Sequence, residues 1–153
     1  DRSTAGRGSL MDGQATVALA RISDEDLDLN RHLEAVSAPG HGAVVTFVGQ
    51  IRDHDPEAAG SVELVEYSAH PDAQAILERV SGEASRPGTS IAVSHRTGPV
   101  EVGQPALIAC VAAAHRGLAY EVSRDLVERI KRELPIWKRQ VDTEGRHNWQ
   151  GLR

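Results

Sequence analysis

Three features of the chain predict an α+β domain with a mixed or antiparallel sheet and helices packed on it. Apolar residues switch between strand-like alternation and helical spacing, several strand pairs are joined by short hairpin-like links, and no glycine-rich phosphate loop of either common spacing is present. The last feature argues against a doubly wound nucleotide-binding fold. The predicted order is β-α-β-β-α-β-β-α in a single domain.

The elements follow in order. Residues 1–13, opening DRSTAGRGSL, carry Gly, Ser and Arg without apolar periodicity and read as a disordered leader, leaving 14–153 as the domain. ATVALARI at 15–22 alternates as a strand. Ser23 followed by Asp26 resembles a capping box, which predicts a helix through Val36 that ends before Pro39 and Gly40. GAVVTFVGQIR at 42–52 is a continuous apolar run, the pattern of a strand buried on both faces, and is expected at the centre of the sheet. DHDPEAAG at 53–60 reads as a loop, and SVELVEYSA at 61–69 as a half-buried strand. Pro71 suits the first turn of a helix to about Ala84, with Ala75, Ile76, Leu77 and Val80 toward the core. Arg86, Pro87 and Gly88 break it. Strands follow at 90–96 and 105–114, linked through PVEVGQ with a turn at Gly103. The last helix covers 118–134, with Val122, Leu126, Val127, Ile130 and Leu134 on one face, and Pro135 stops it.

Composition narrows the function classes. The chain has 153 residues, 40% of them hydrophobic and 25% charged, and no stretch approaches the ~18 to 20 apolar residues of a membrane crossing. The single cysteine, Cys110, cannot form an internal disulfide, and no Cys/His cluster has structural zinc spacing, so a reducing cytoplasm is the expected location and no metal is expected. A net charge of -5 argues against non-specific attraction to nucleic acid or anionic membrane. Any anion site must therefore be a local concentration of charge.

The basic residues are unusual in kind. Of 17 Lys and Arg, only Lys131 and Lys138 are lysines. A GC-rich coding bias accounts for the rarity of Lys but not for the spacing. An Arg stays protonated, whereas a Lys amine set beside other cations or out of water can release its proton and act as base or nucleophile. At 100° per residue Lys131 sits roughly 100° from the middle of the helix's apolar stripe, a position that suits either a functional amine or a snorkelling one. Lys138 follows the Pro135 break in PIWKRQ, so two amines and Arg139 can converge on one anion. A crowded cationic site brings a Lys toward ~7 to 8, the useful range for proton transfer.

Other candidates carry two readings each. His115 and Arg116 open the last helix, where free N–H groups favour an anion, or they form an ordinary surface turn. Arg52 ends the apolar run at 42–52 as a substrate contact or as a solubilising residue. His95 and Arg96 read as structural. Cys110, mid-strand among apolar residues, reads as inert core, because a reactive thiolate needs an electropositive, partly wet setting.

Five segments in order, GAVVTFVGQIRD, VEYSAH, SHRTGPVEVGQ, AAAHRGLAYEV and IKRELPIWKRQ with an EGRHNW tail, resemble the catalytic (large) subunit family of molybdopterin synthase over about residues 15–150. The resemblance implies an α+β fold and a homodimer flanked by two small ubiquitin-like sulfur-carrier subunits, whose C-terminal Gly-Gly thiocarboxylate enters the active site. It implies conversion of cyclic pyranopterin monophosphate into the dithiolene molybdopterin, in molybdenum cofactor synthesis, with no cofactor of the enzyme's own. By motif, Lys131 and Lys138 match the family's active-site lysines, and Gln50, Ile51, Arg52, His115 and Arg116 match its pterin-phosphate pocket. Arg139 and Gln140 continue the substrate-contacting segment; many members carry Glu where this chain has Gln140. Arg153 is similar to an arginine lent across the dimer. The runner-up readings are an RNA-binding module using the basic segment 124–146, against which the 3% aromatic content weighs, and an adaptor that docks a ubiquitin-like tail without chemistry.

Overall fold

A computed structural model describes residues 13–54 and 61–151. Its elements are β1 (Thr16–Ser23), α1 (Leu29–Ala35), β2 (Ala43–Gln50), β3 (Val62–Ala69), α2 (Ala73–Ala84), β4 (Ser90–Arg96), β5 (Gly98–Glu101), β6 (Pro105–Ala113), α3 (Arg116–Glu133), β7 (Ile136–Asp142) and β8 (His147–Gly151). They build an α+β domain with two four-stranded sheets rather than one. The first has the order β1-β4-β6-β2 and the second β5-β3-β7-β8. The first is mixed, because β1 runs parallel to β4 while β4–β6 and β6–β2 are antiparallel. The second is antiparallel throughout.

The strand buried on both faces is β6, with β4 beside it, and not the 42–52 run expected at the centre. Alternate β6 residues feed two cores. Leu107, Ala109 and Val111 join Ile91 and Val93 under α2 and α3, while Ile108, Cys110 and Ala112 join Ala92 and Val36 under α1. A strand covered from both sides needs apolar residues at every position. Among the described residues β2 is instead the sheet edge, paired with β6 alone; Phe47 reaches the larger core while Val44 is 45% exposed. Its apolar run reflects half-covered alternation with β-branched residues on the outer face.

The first helix also begins later than the Ser23/Asp26 box predicts. Ser23 Oγ accepts from the Glu25 amide at 3.1 Å and so closes a tight turn, and the cap passes to Asp28, whose Oδ1 accepts from the Asn30 and Arg31 amides. In α2, Ala73, Leu77 and Val80 are buried and Ile76 is partly so, but Ala75 faces solvent because the helix starts two residues after Pro71. Gln74 from this helix accepts from the Ile22 amide and donates to the Ala20 carbonyl, both at 2.8 Å, which occupies the free edge of β1. The stripe of α3 holds as predicted, with Val122, Leu126 and Ile130 fully buried and Leu134 at its C-cap.

Three strands, β5, β7 and β8, have no counterpart in the predicted order. The PVEVGQ link contains β5, whose Val100 pairs with Val65, and the tail folds back as β8 on β7. Gly98 and Gly103 bracket β5 with φ of 82° and 88°, values that suit glycine and let so short a strand turn at each end. Residues 1–12 and 55–60, on which the leader and most of the loop expectation fall, and Arg153 lie outside the described residues.

Candidate active site

The site grows from the junction of α3 with β7. Ile130 anchors the last turn of the helix in the core, and Lys131 follows it onto the exposed border of the stripe. Pro135 ends the helix and β7 runs back along β3, placing Lys138 opposite Tyr67 and Gln140 opposite Val65. Side chains alternate across a strand, so Lys138 and Gln140 share the inner face. From the first sheet, β2 arrives with a register shift between Gly49 and Gln50, and β4 brings His95 opposite Leu107 of β6. A register shift at a strand end re-aims the side chains that follow.

These pieces meet around a cavity of about 130 Å³ lined by Gln50, Tyr67, His95, Lys131 and Lys138 over an apolar floor that includes Leu107 and Ile130. A second cavity of about 110 Å³ adjoins it through Gln50, Tyr67 and Lys138, and is lined further by Ile51, Arg52 and Gln140. No carboxylate lines either cavity among the described residues. The chain's two lysines thus reach one cationic hollow from a helix and from a strand. Such a hollow suits an anionic ligand with polar groups for its neutral wall.

Three residues expected there stand elsewhere. Arg139 lies on the outer face of β7, for the alternation that turns Lys138 in turns Arg139 out. It pairs with Glu66 across the β3–β7 ladder and sits 5.6 Å from the centroid of Trp149. His115 and Arg116 open α3, with His115 in the N-cap position, about 24 Å from Lys131 at a rise of 1.5 Å per residue. His115 lines a separate cavity with His41, Leu118 and backbone-rich segments around Gly40 and Gly88. Gly42 lets the chain pass tightly there, since a Cβ on it would meet the Ala114 carbonyl oxygen at 2.8 Å.

Two wall residues were not singled out as functional from the sequence. Tyr67 is buried and its phenol is pushed up to about 12 by loss of solvent, so it stays a protonated donor. His95 is 2% exposed and is held down to about 4, first by burial and then by the charge of Lys131, against a raising effect from its bond to the Arg96 carbonyl. Their rings meet edge to face with centroids 5.0 Å apart. The signal available was the alternation of β4. His95 and Arg96 face opposite sides, and it is Arg96 that is structural, bonding Asp26 at 2.6 Å and the Pro99 carbonyl at 3.1 Å. Cys110 is fully buried and burial raises its thiol, in keeping with inert core. Among the described residues no helix is long and apolar enough to cross a membrane.

Comparison with known proteins places this geometry in a family. The model of the MoaE protein family matches residues 22–133. The molybdopterin synthase catalytic subunit 1 of Mycobacterium tuberculosis is 36% identical over 138 residues, covering 87% of this chain and 90% of that one. The corresponding subunit of Pyrococcus abyssi is 34% identical over 137 residues, with 87% and 90% covered. The crystal structure of molybdopterin synthase from Staphylococcus aureus superposes with a TM-score of 0.79 at 32% identity, covering 86% of this chain and 96% of that one. With a family model matched over residues 22–133, a solved structure superposing at a TM-score of 0.79 and relatives aligned along nearly their whole length, the chain belongs to the MoaE family, that of the molybdopterin synthase catalytic subunits.

Proposed function

We propose that this chain is the catalytic subunit of a cytoplasmic molybdopterin synthase, which converts cyclic pyranopterin monophosphate to molybdopterin with sulfur from the C-terminal thiocarboxylate of a small ubiquitin-like carrier. The observation that supports it most is the convergence of Lys131 and Lys138 on one carboxylate-free hollow. The phosphate and the thiocarboxylate are both anions, and a site without competing carboxylates accepts both.

The residues divide the work. Arg52 and Lys138 hold and orient the anionic substrate along the adjoining cavity, with Gln50, Ile51 and Gln140 shaping its wall. The carrier's sulfur attacks a substrate carbon, joining carrier and substrate through a thioester; water then cleaves the acyl–sulfur bond, returning the carrier as a carboxylate and leaving sulfur on the substrate. Loss of water from the substrate completes each addition. Lys131 moves the protons of these steps, and Lys138 stabilises the negative charge that develops. No cysteine nucleophile is called for, since sulfur arrives on the partner.

His115 and Arg116 stand too far away to serve the same copy's hollow. In this reading they close the site of a second copy in a homodimer, each α3 lending its N-terminus to its neighbour. The test is to mix the purified chain with thiocarboxylated carrier and cyclic pyranopterin monophosphate and measure dithiolene product. Absence of product with the wild type, or a Lys131→Ala variant that turns over normally, overturns the reading.

A further inference from the structure

We propose that His95 is a positioning residue for Lys131, its Nε2 serving as the hydrogen-bond acceptor that orients the lysine head in the cavity; the inference rests on the catalytic reading above. The starting point is an imbalance in the site. Two ammonium groups present three donors each, and Tyr67 adds a hydroxyl and Gln50 an amide NH2. Among the described residues no carboxylate lines the cavity that Lys131 enters. Among the side chains that line the first cavity, the acceptors that carry no proton of their own are the Gln50 carbonyl and one imidazole nitrogen.

Which nitrogen it is follows from the backbone. Nδ1 of His95 lies 2.8 Å from the Arg96 carbonyl oxygen, which can only accept, so Nδ1 carries the hydrogen and Nε2 the lone pair. The edge-to-face contact with Tyr67 and the near-complete burial of the ring hold that orientation. The charged groups that share its cavity are Lys131 from α3 and Lys138 from β7, with the Tyr67 phenol from β3, while the Arg96 guanidinium lies on the other face of β4 against Asp26. Lys131 lines the same cavity as His95, and its charge adds to burial in favouring the neutral imidazole. A ring that remains uncharged beside two ammonium groups offers them its lone pair without repelling them. Held by this acceptor, Lys131 has one direction fixed while its remaining hydrogens address substrate and carrier.

The test exploits the two nitrogens separately. An Asn side chain reproduces the Nδ1 donor and lacks an atom at Nε2, whereas a Gln side chain reaches the Nε2 position with an acceptor oxygen. His95→Asn is expected to keep the fold, as read by its thermal melt, and to lose roughly tenfold to a hundredfold in kcat with little change in KM, part of the ~10²–10⁴ that proton transfer supplies. His95→Gln is expected to recover most of that loss. Equal activity of the two variants, or better activity of the Asn form, overturns the proposal, because a purely structural role rests on Nδ1. A wild type that makes no dithiolene product sinks the catalytic reading instead. Independently of turnover, nitrogen NMR of His95 is expected to show the Nδ1–H form, and Lys131→Ala to shift its titration upward from about 4. An unmoved midpoint shows that the two groups do not meet.

Discussion

The two ends of α3 carry similar charge and do different things with it. At the C-terminal end Lys131 meets Lys138 across a cavity with a defined neutral wall of Tyr67, His95 and Gln50. At the N-terminal end His115 and Arg116 are exposed, and the cavity beside His115 is bounded largely by glycine, proline and alanine. One end is a walled pocket and, in the proposed reading, the other is half of one. The difference teaches that an anion site needs converging groups, and that free helix N–H groups with an adjacent cation supply only part of it.

The largest effect expected from breaking the walled end is Lys131→Ala. Removal of a proton-transferring group costs typically 10²–10⁴-fold in kcat, and the exposed position of Lys131 means that the fold should not suffer. Single-turnover measurement of dithiolene product with retained carrier binding checks it. Arg116→Ala at the other end removes one contact of a bound anion, which a charged hydrogen bond puts at about 1.5–3 kcal/mol, so KM should rise by about tenfold or more while kcat changes less. The comparison sharpens when the two variants are mixed. If each α3 serves two sites, hybrid dimers of Lys131→Ala with Arg116→Ala contain one intact site and one doubly damaged site, and activity measured at substrate concentrations below the wild-type KM should exceed that of either parent. Failure of the mixture to exceed its parents would place both ends in separate functions.

A smaller effect comes from the wall rather than the lysines. His95 is held at about 4 when folded against an ordinary 6.5, so between those values the unfolded chain binds a proton that the folded chain refuses. Its contribution is fully present above pH 6.5 and is lost as pH falls toward 4, by about 3 kcal/mol in all. Denaturant unfolding at pH 7 and pH 4.5 should show a wild-type decline that is correspondingly shallower in His95→Gln. Equal pH dependence in the two proteins would show that the imidazole is not desolvated in the folded state.

How much of this was legible in the sequence depended on the range of the interaction concerned. Helix α3, its stripe and the Pro135 stop are local, and they stand where spacing predicts. The pairing of Lys131 with Lys138 was legible because a helix stop followed by a strand must double back within a few residues. The centre of the sheet was not legible: the runs at β2 and β6 look alike as strings of Val, Ala and Ile, and only the small helix α1 covering one face of β6 decides between them. The same holds for His95. Its strand position predicted a face, but which face overlooks the cavity is set by β7 and α3, far along the chain. Arg139 shows the opposite failure, since a motif names a segment while the pleat admits only alternate residues to one side.

That pleat makes the last and smallest prediction. The outer face of β7 carries Trp137 and Arg139, the latter bonded to Glu66 and stacked near Trp149, and it faces away from the hollow that Lys138 enters. A partly buried ion pair contributes on the order of 1 kcal/mol and a largely exposed cation–aromatic contact about 0.5–1 kcal/mol, so Arg139→Ala should lower stability by about 2 kcal/mol. Its effect on kcat should remain within a few-fold, well below that of its neighbour Lys138→Ala. Activity and urea unfolding of the two variants, measured side by side, test whether adjacent residues on one strand divide cleanly between chemistry and support. Should Arg139→Ala lose as much activity as Lys138→Ala at unchanged stability, the outer face of this sheet would have to take part in catalysis or in carrier docking.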